Sequence, residues 1–203
     1  MSVGRVRVGA GFWALLGAAV LVSPVETVLA VLLAAACHEL GHLLLLRLFG
    51  VRTELLSLSA LGAELRAPGL DTLSYGRELA VTLAGPAVNL LCALLLGAAA
   101  RGLDAPALYL HAGAHVLLGA FNLLPCAPLD GARALYLAAA YFGGPAAGDT
   151  VAASVGLGCS LVVLALALRL TLGGGGWLFL FAALGLVCRS IVQIGLAKPR
   201  VSV

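Results

Sequence analysis

The chain has 203 residues, of which 62% are hydrophobic and only 10% are charged. A soluble domain carries roughly 25% charged residues because its surface faces water, so this composition excludes an ordinary soluble domain. The net charge of +3 is too small to indicate a nucleic-acid partner. We therefore expect an all-α polytopic membrane protein whose surroundings are a lipid bilayer.

Six apolar segments follow one another along the chain, and each predicts a transmembrane helix. The first resembles a signal peptide, but a second apolar stretch follows at once, which favours an uncleaved, short first span. We expect a single domain over residues 1–203, without an appended regulatory domain, whose core covers residues 25–142. The six segments cover about residues 8–22, 25–49, 78–100, 105–124, 150–169 and 177–197, the last two forming a C-terminal helix pair over 150–197.

The arginines and lysines predict how the spans are oriented. Most of them fall on the side that holds the N-terminus, and few fall on the other side. Because positive residues concentrate in cytoplasmic loops, we expect a multi-pass protein of the cell membrane with both termini in the cytoplasm.

The segment between the second and third spans predicts a short β-hairpin rather than a helix. Four leucines between residues 56 and 65 alternate loosely with polar or small residues, which is the periodicity of a strand. Extended backbone at a membrane boundary must be shielded or must line a wet cavity. We expect this hairpin to hold an extended substrate as an added strand, with an ordinary interfacial loop as the alternative. The residues assigned to this role are Leu58, Ala60, Leu61 and Gly62.

The motif HELGH, in the middle of the second apolar segment, is the clearest chemical signal. His38 and His42 are one helical turn apart, so two imidazoles on one face can bind one metal ion. Glu39 lies beside the first ligand, where it can act as a general base on a zinc-bound water. Ionisable groups inside a span are costly without compensation, which argues against two buried histidines with a purely structural role. The motif therefore predicts one catalytic Zn²⁺ per chain.

Asp130 is the predicted third metal ligand. A catalytic zinc usually has three protein ligands and one open position. Pro125 and Pro128 interrupt helical hydrogen bonding just before this residue, and a broken helix at membrane depth can aim a carboxylate inward. The alternative is a polar turn at Asp130 and Gly131 that merely ends a span.

Other polar residues lie within apolar spans. Asn89 and Asn122 carry amide side chains, which we expect to form hydrogen bonds between helices. The alternative is that they lie near the reaction centre and donate a hydrogen bond to the oxyanion that develops on the substrate. His111 and His115 are also one turn apart, and without a nearby acidic partner we expect them to be buried polar side chains that line a cavity. Substrate contacts, a proton relay and a second metal pair are the alternatives. The five cysteines form no C-x-x-C motif, so we interpret them as buried thiols and assign Cys37 no role.

Three motifs, in this order and spacing, resemble the site-2 protease family of intramembrane zinc metalloproteases: HELGH, AGPAVN and FNLLPCAPLDG. The arrangement of spans is most similar to the branch of the stage IV sporulation protein FB. The resemblance implies that the two motif histidines and Asp130 bind zinc and that Glu39 is catalytic. The chain departs from the family pattern at Ala132, where a glycine is common, and at His115, where asparagine is common.

The resemblance implies hydrolysis of a peptide bond in or near a transmembrane segment of a membrane-anchored protein. A membrane-tethered precursor of a transcription factor, in sporulation or in general signalling, is one substrate class, and a regulatory membrane protein is an expected partner. Two alternatives stay open. A metal-ion or proton-coupled transporter should show an inverted repeat, and the sequence shows no second copy of either motif. The other is a catalytically inactive membrane scaffold.

Overall fold

The structure is a computed structural model that describes residues 5–59, 62–174 and 177–197. The chain divides into two compact units, Met1–Phe121 and Asn122–Val203, which are described separately. In the first unit the helices are α1 (Ala10–Val22), α2 (Val25–Leu48), α3 (Tyr75–Gly102) and α4 (Ala107–Asn122, whose last residue belongs to the second unit). The second unit contains α5 (Asp130–Gly143), α6 (Pro145–Leu172) and α7 (Trp177–Ala197).

All six predicted apolar segments are helical in the structure, as α1 to α4, α6 and α7. Within the described residues, three helices are long and apolar enough to cross a membrane, namely α2, α3 and α6. Six spans are therefore not confirmed. The helix α1 has 13 residues and α4 has 16, and the described apolar part of α7, Phe179–Gly195, is also shorter than a span requires. The helix α5 was not predicted. It begins at Asp130, so the aspartate and Gly131 form a helix start rather than the polar turn that was the alternative prediction.

The predicted β-hairpin is present, and it belongs to a sheet of three strands. β2 (Leu55–Ser59) pairs antiparallel with β3 (Gly62–Arg66), with Ser59 opposite Gly62. A third strand, β1 (Arg5–Val8), pairs parallel to β2, and no pattern in the sequence predicts it.

This sheet order changes where an added strand could pair. Because the order is β1-β2-β3, Leu58 lies in the central strand, opposite Val8 on one side and Ala63 on the other. An incoming strand would have to pair with β1 or β3 rather than with Leu58. Ala60 and Leu61, which were assigned the same role, lie outside the described residues.

The helix α2 carries the HELGH motif and has clear boundaries. Pro24 precedes its first residue, and the chain leaves the helix at Gly50, whose φ of 75° favours glycine. Glu26 lies in the first turn and Arg47 in the last, so their charges complement the helix dipole.

In the first unit, α2 and α3 pack closely because Gly41 has no side chain. A Cβ atom at Gly41 would lie 2.7 Å from the carbonyl oxygen of Ala84 and 3.0 Å from a methyl group of Val88. Small residues allow such approaches between membrane helices, where lipid removes the usual hydrophobic driving force. Where α2 ends, Leu46 and Val51 form a small buried cluster with Val81 of α3.

In the second unit, α5 packs against α6, and α6 packs against α7. Leu137 of α5 is buried, and a Cβ at Gly148 of α6 would lie 2.9 Å from the Tyr136 ring. The turn before α5 is equally tight. A Cβ at Gly131 would collide with the carbonyl group of Leu123, so glycine lets this turn fold back on the helix start.

We expect Gly41→Ala to destabilise the fold by about 1–3 kcal/mol, because the added methyl group meets backbone that cannot rotate away. Gly97→Ala in α3 is the matched control, since a Cβ there has nothing within 4 Å. Both substitutions raise helix propensity by the same amount, about 1 kcal/mol. The difference in stability between the two variants therefore measures the cost of a methyl group at the contact between α2 and α3. The measurement is thermal unfolding in detergent. Equal melting temperatures for the two variants would contradict this packing.

Candidate metal centre

His38 and His42 converge on one face of α2, as the motif predicts. Both are buried, and their Nε2 atoms lie 3.1 Å apart. Zinc–nitrogen bonds of about 2.0–2.1 Å in a tetrahedral site place two nitrogens roughly 3.3 Å apart. The spacing of the two rings therefore fits a shared metal ion without rearrangement of the helix.

A backbone carbonyl sets the orientation of the His42 ring. Nδ1 of His42 lies 2.8 Å from the carbonyl oxygen of Val81 in α3, so it carries the proton and donates it. In the neutral imidazole, Nε2 then carries the lone pair instead of a proton, and this nitrogen faces His38. Metal-binding histidines usually have such a partner on the second nitrogen, because it fixes the tautomer and the ring.

Asn89 connects His38 to a third helix. The Nδ2 atom of Asn89 lies 3.4 Å from Nδ1 of His38, and its Oδ1 atom lies 3.2 Å from Nδ1 of His115 in α4. Asn89 is completely buried and His115 is 1% exposed. The predicted role of Asn89 in hydrogen bonding between helices is confirmed. Its amide contacts the Nδ1 atom of His38, on the side of the ring away from Nε2.

Gly85 of α3 leaves the space that the two imidazoles occupy. A Cβ atom there would lie 2.8 Å from Nε2 of His38 and would collide with Nε2 of His42. Glycine at this position is therefore a condition for the two rings to lie side by side. Together with the His42 tautomer, this fitted space shows that the residues present suit a metal ion.

The other predicted site residues lie at the following places. Glu39 is half-buried on α2, next to the first histidine. In the second unit, Asn122 is the last residue of α4 and Asp130 the first of α5, and both are half-buried. Asp130 offers a carboxylate of the kind that binds zinc.

His111 does not share a partner with His115. Its Nδ1 atom lies 3.4 Å from the carbonyl oxygen of Ala107 in the same helix, whereas His115 faces Asn89. A second metal pair formed by these two histidines has no support in this geometry. The sequence spacing places them on one side of α4, but the recorded partner of His111 is in its own helix, whereas that of His115 is in α3.

We expect Gly85→Ala to lower the metal content of the purified chain, because the new methyl group occupies the position of the imidazoles. Gly113→Ala in α4 is the control, since a Cβ there meets nothing within 4 Å. Metal per chain is measured by atomic emission after passage over a chelating resin. Equal metal content in the two variants would show that Gly85 does not shape the site.

The chain is similar in sequence to zinc metalloproteases, although no protein-family model matches it. A zinc metalloprotease of Methanocaldococcus jannaschii is 30% identical over 132 residues, which are 63% of this chain and 38% of that protein. Rip3 of Mycobacterium tuberculosis, whose name proposes a zinc metalloprotease, is 36% identical over 133 residues, 59% of this chain and 31% of Rip3. The match thus spans only about a third of the length of each of these curated relatives.

The fold is similar to that of a solved structure, the site-2 protease from Methanocaldococcus jannaschii. The TM-score is 0.69, and the match covers 93% of this chain and 89% of that chain at 20% sequence identity. At this identity the likeness concerns the fold. The chain therefore has the fold of a site-2 protease, and its sequence is related to proteins named as zinc metalloproteases.

Proposed function

We propose that this chain is a zinc metalloprotease of the site-2 protease family that cuts peptide bonds within the membrane. The observation that carries the proposal is the pair of buried imidazoles, with Nε2 atoms 3.1 Å apart, on a helix of membrane-spanning length. The tautomer imposed on His42 by the Val81 carbonyl supports it, because that tautomer is the metal-binding one.

Three side chains would hold the zinc ion, namely His38, His42 and Asp130. The carboxylate is the ligand that the sequence predicts, and the local fold places it at a helix start after a proline-rich turn. A zinc ion held by these residues would supply a Lewis acid for the scissile carbonyl group and would lower the pKa of a water molecule toward neutral pH.

Glu39 is the proposed general base. It follows His38 directly on α2 and is half-buried, and it is not one of the three proposed metal ligands. Its carboxylate takes a proton from the attacking water and afterwards gives it to the leaving amine. Asn122 remains a candidate for hydrogen bonding to the substrate carbonyl, whereas Asn89 is already engaged with two histidines.

The proposed substrate is a transmembrane segment of a membrane-anchored protein. A helix hides its carbonyl groups in hydrogen bonds, so the segment must unwind before a bond can be cut. An edge strand can replace those hydrogen bonds, and β3, which begins at Gly62, is such an edge. The same proposal includes six membrane spans with both termini in the cytoplasm. It also includes a regulatory membrane protein as partner and membership of the branch of the stage IV sporulation protein FB.

We expect Glu39→Gln to lower cleavage by about 100-fold or more while zinc stays bound, because the amide cannot accept the proton of the water. The matched control is Glu26→Gln, an exposed glutamate on the same helix. The measurement combines zinc content with cleavage of a reporter transmembrane helix in liposomes. Cleavage of the Glu39→Gln variant at the parental rate would exclude this residue as the base. Retention of zinc without any cleavage by the parent chain would favour a scaffold.

A further inference from the structure

Behind the histidine pair, a second group of metal-binding side chains meets in the first unit. Cys37 of α2, Cys92 of α3 and His115 of α4 offer ligand atoms that all lie within 4.8 Å of one another. The two thiols are half-buried and hydrogen-bond to each other, and the imidazole is 1% exposed. We name these three residues the thiol cluster.

The ligand types of the thiol cluster decide which cation suits it. Two sulfurs and one imidazole nitrogen favour thiophilic ions such as Zn²⁺, Cd²⁺ or Cu⁺, whereas Mg²⁺ and Ca²⁺ require oxygen ligands. In a tetrahedral zinc site the donors lie roughly 3.5–3.8 Å apart, so small side-chain rotations would close the cluster around an ion. Binding of one cation would release the two thiol protons to water.

Asn89 links this cluster to His38. A histidine that binds metal through Nε2 must carry its proton on Nδ1, and that proton needs an acceptor. Nδ1 of His38 and Nδ1 of His115 face opposite ends of the Asn89 amide, at 3.4 Å and 3.2 Å. An amide has one oxygen end and one NH₂ end, so whichever way it is turned it accepts from only one of the two rings.

We propose that the thiol cluster is a second, thiophilic metal site whose occupation weakens metal binding at His38 and His42 through Asn89. In this proposal His115 binds metal through Nε2, so its Nδ1 carries the proton and donates it to the Asn89 oxygen, and the NH₂ group faces His38. His38 must then keep its proton on Nε2, the atom that the first metal needs. By linkage, metal at His38 weakens the thiol cluster by the same factor.

The test uses the full chain in detergent with a phosphine reductant, and Cd²⁺ as the probe. The parent should bind one Cd²⁺ with the ultraviolet absorbance of thiolate–cadmium charge transfer. Cys92→Ser and Cys37→Ser should lose this absorbance, whereas Cys188→Ser, a change at an exposed cysteine of α7, should keep it. Absence of the absorbance in the parent, or its persistence in the Cys37/Cys92 double variant, would overturn the second site.

A separate experiment tests the antagonism between the two sites. The antagonism rests on the proposed zinc site at His38 and His42, whereas cadmium binding at the thiol cluster can be observed without that zinc site. When Cd²⁺ occupies the thiol cluster, the dissociation constant of zinc at His38 and His42 should rise about tenfold, which is within the usual range of coupling between sites. In Cys92→Ser the weakening should disappear. Equal zinc loss in that variant would mean direct competition at the histidines and would overturn the coupling.

A variant of Asn89 tests the route of the coupling. Asn89→Asp supplies oxygen at both ends of the side chain, so both imidazoles find an acceptor and both sites can fill together. We expect the tenfold effect to vanish, with two metal ions bound per chain. Persistence of the antagonism in Asn89→Asp, in a variant with parental circular dichroism, would exclude the amide as its cause.

Discussion

The close approach of α2 and α3 is the constraint on which the rest of the site depends. Gly41 and Gly85 remove side chains at the contact, so backbone and imidazoles occupy the space where methyl groups would lie. Only at this distance can His42 reach the carbonyl group of Val81, and only then does His38 face Asn89. The packing of α2 against α3 therefore determines the tautomer of His42. It also determines the direction of the lone pairs that are available to a metal ion.

The same polar groups also hold the helices together. In lipid, an unpaired amide or imidazole is costly, so Asn89 and His115 stabilise the register of α3 and α4 by satisfying each other. A slip of α4 along α3 would break the hydrogen bond between His115 and Asn89 and would leave Asn89 with only its contact to His38. The residues that orient the histidine pair are thus also those that make this arrangement of helices specific, which ties the chemistry of the site to the stability of the unit around it.

Local signals account for the parts of the fold that could be predicted. Apolar runs predict helices, alternation predicts the hairpin, and HELGH places two imidazoles on one face whatever surrounds them. The strand β1 has only four residues and becomes a strand through pairing with β2, so its own sequence carries little signal. The helix α5 begins with Asp130 and Gly131, a pair that is equally typical of a turn. The thiol cluster joins residues from three helices, and no sequence spacing could indicate it.

We propose that the imidazoles of α2, rather than the thiol cluster, bind the first equivalent of zinc. X-ray absorption at the zinc edge, on the purified chain with one equivalent of zinc, tests this claim most directly. We expect a shell of nitrogen and oxygen at about 2.0–2.1 Å that includes the outer-ring scattering of two imidazoles. A first shell dominated by sulfur at about 2.3 Å, or zinc without imidazole scattering, would contradict the account.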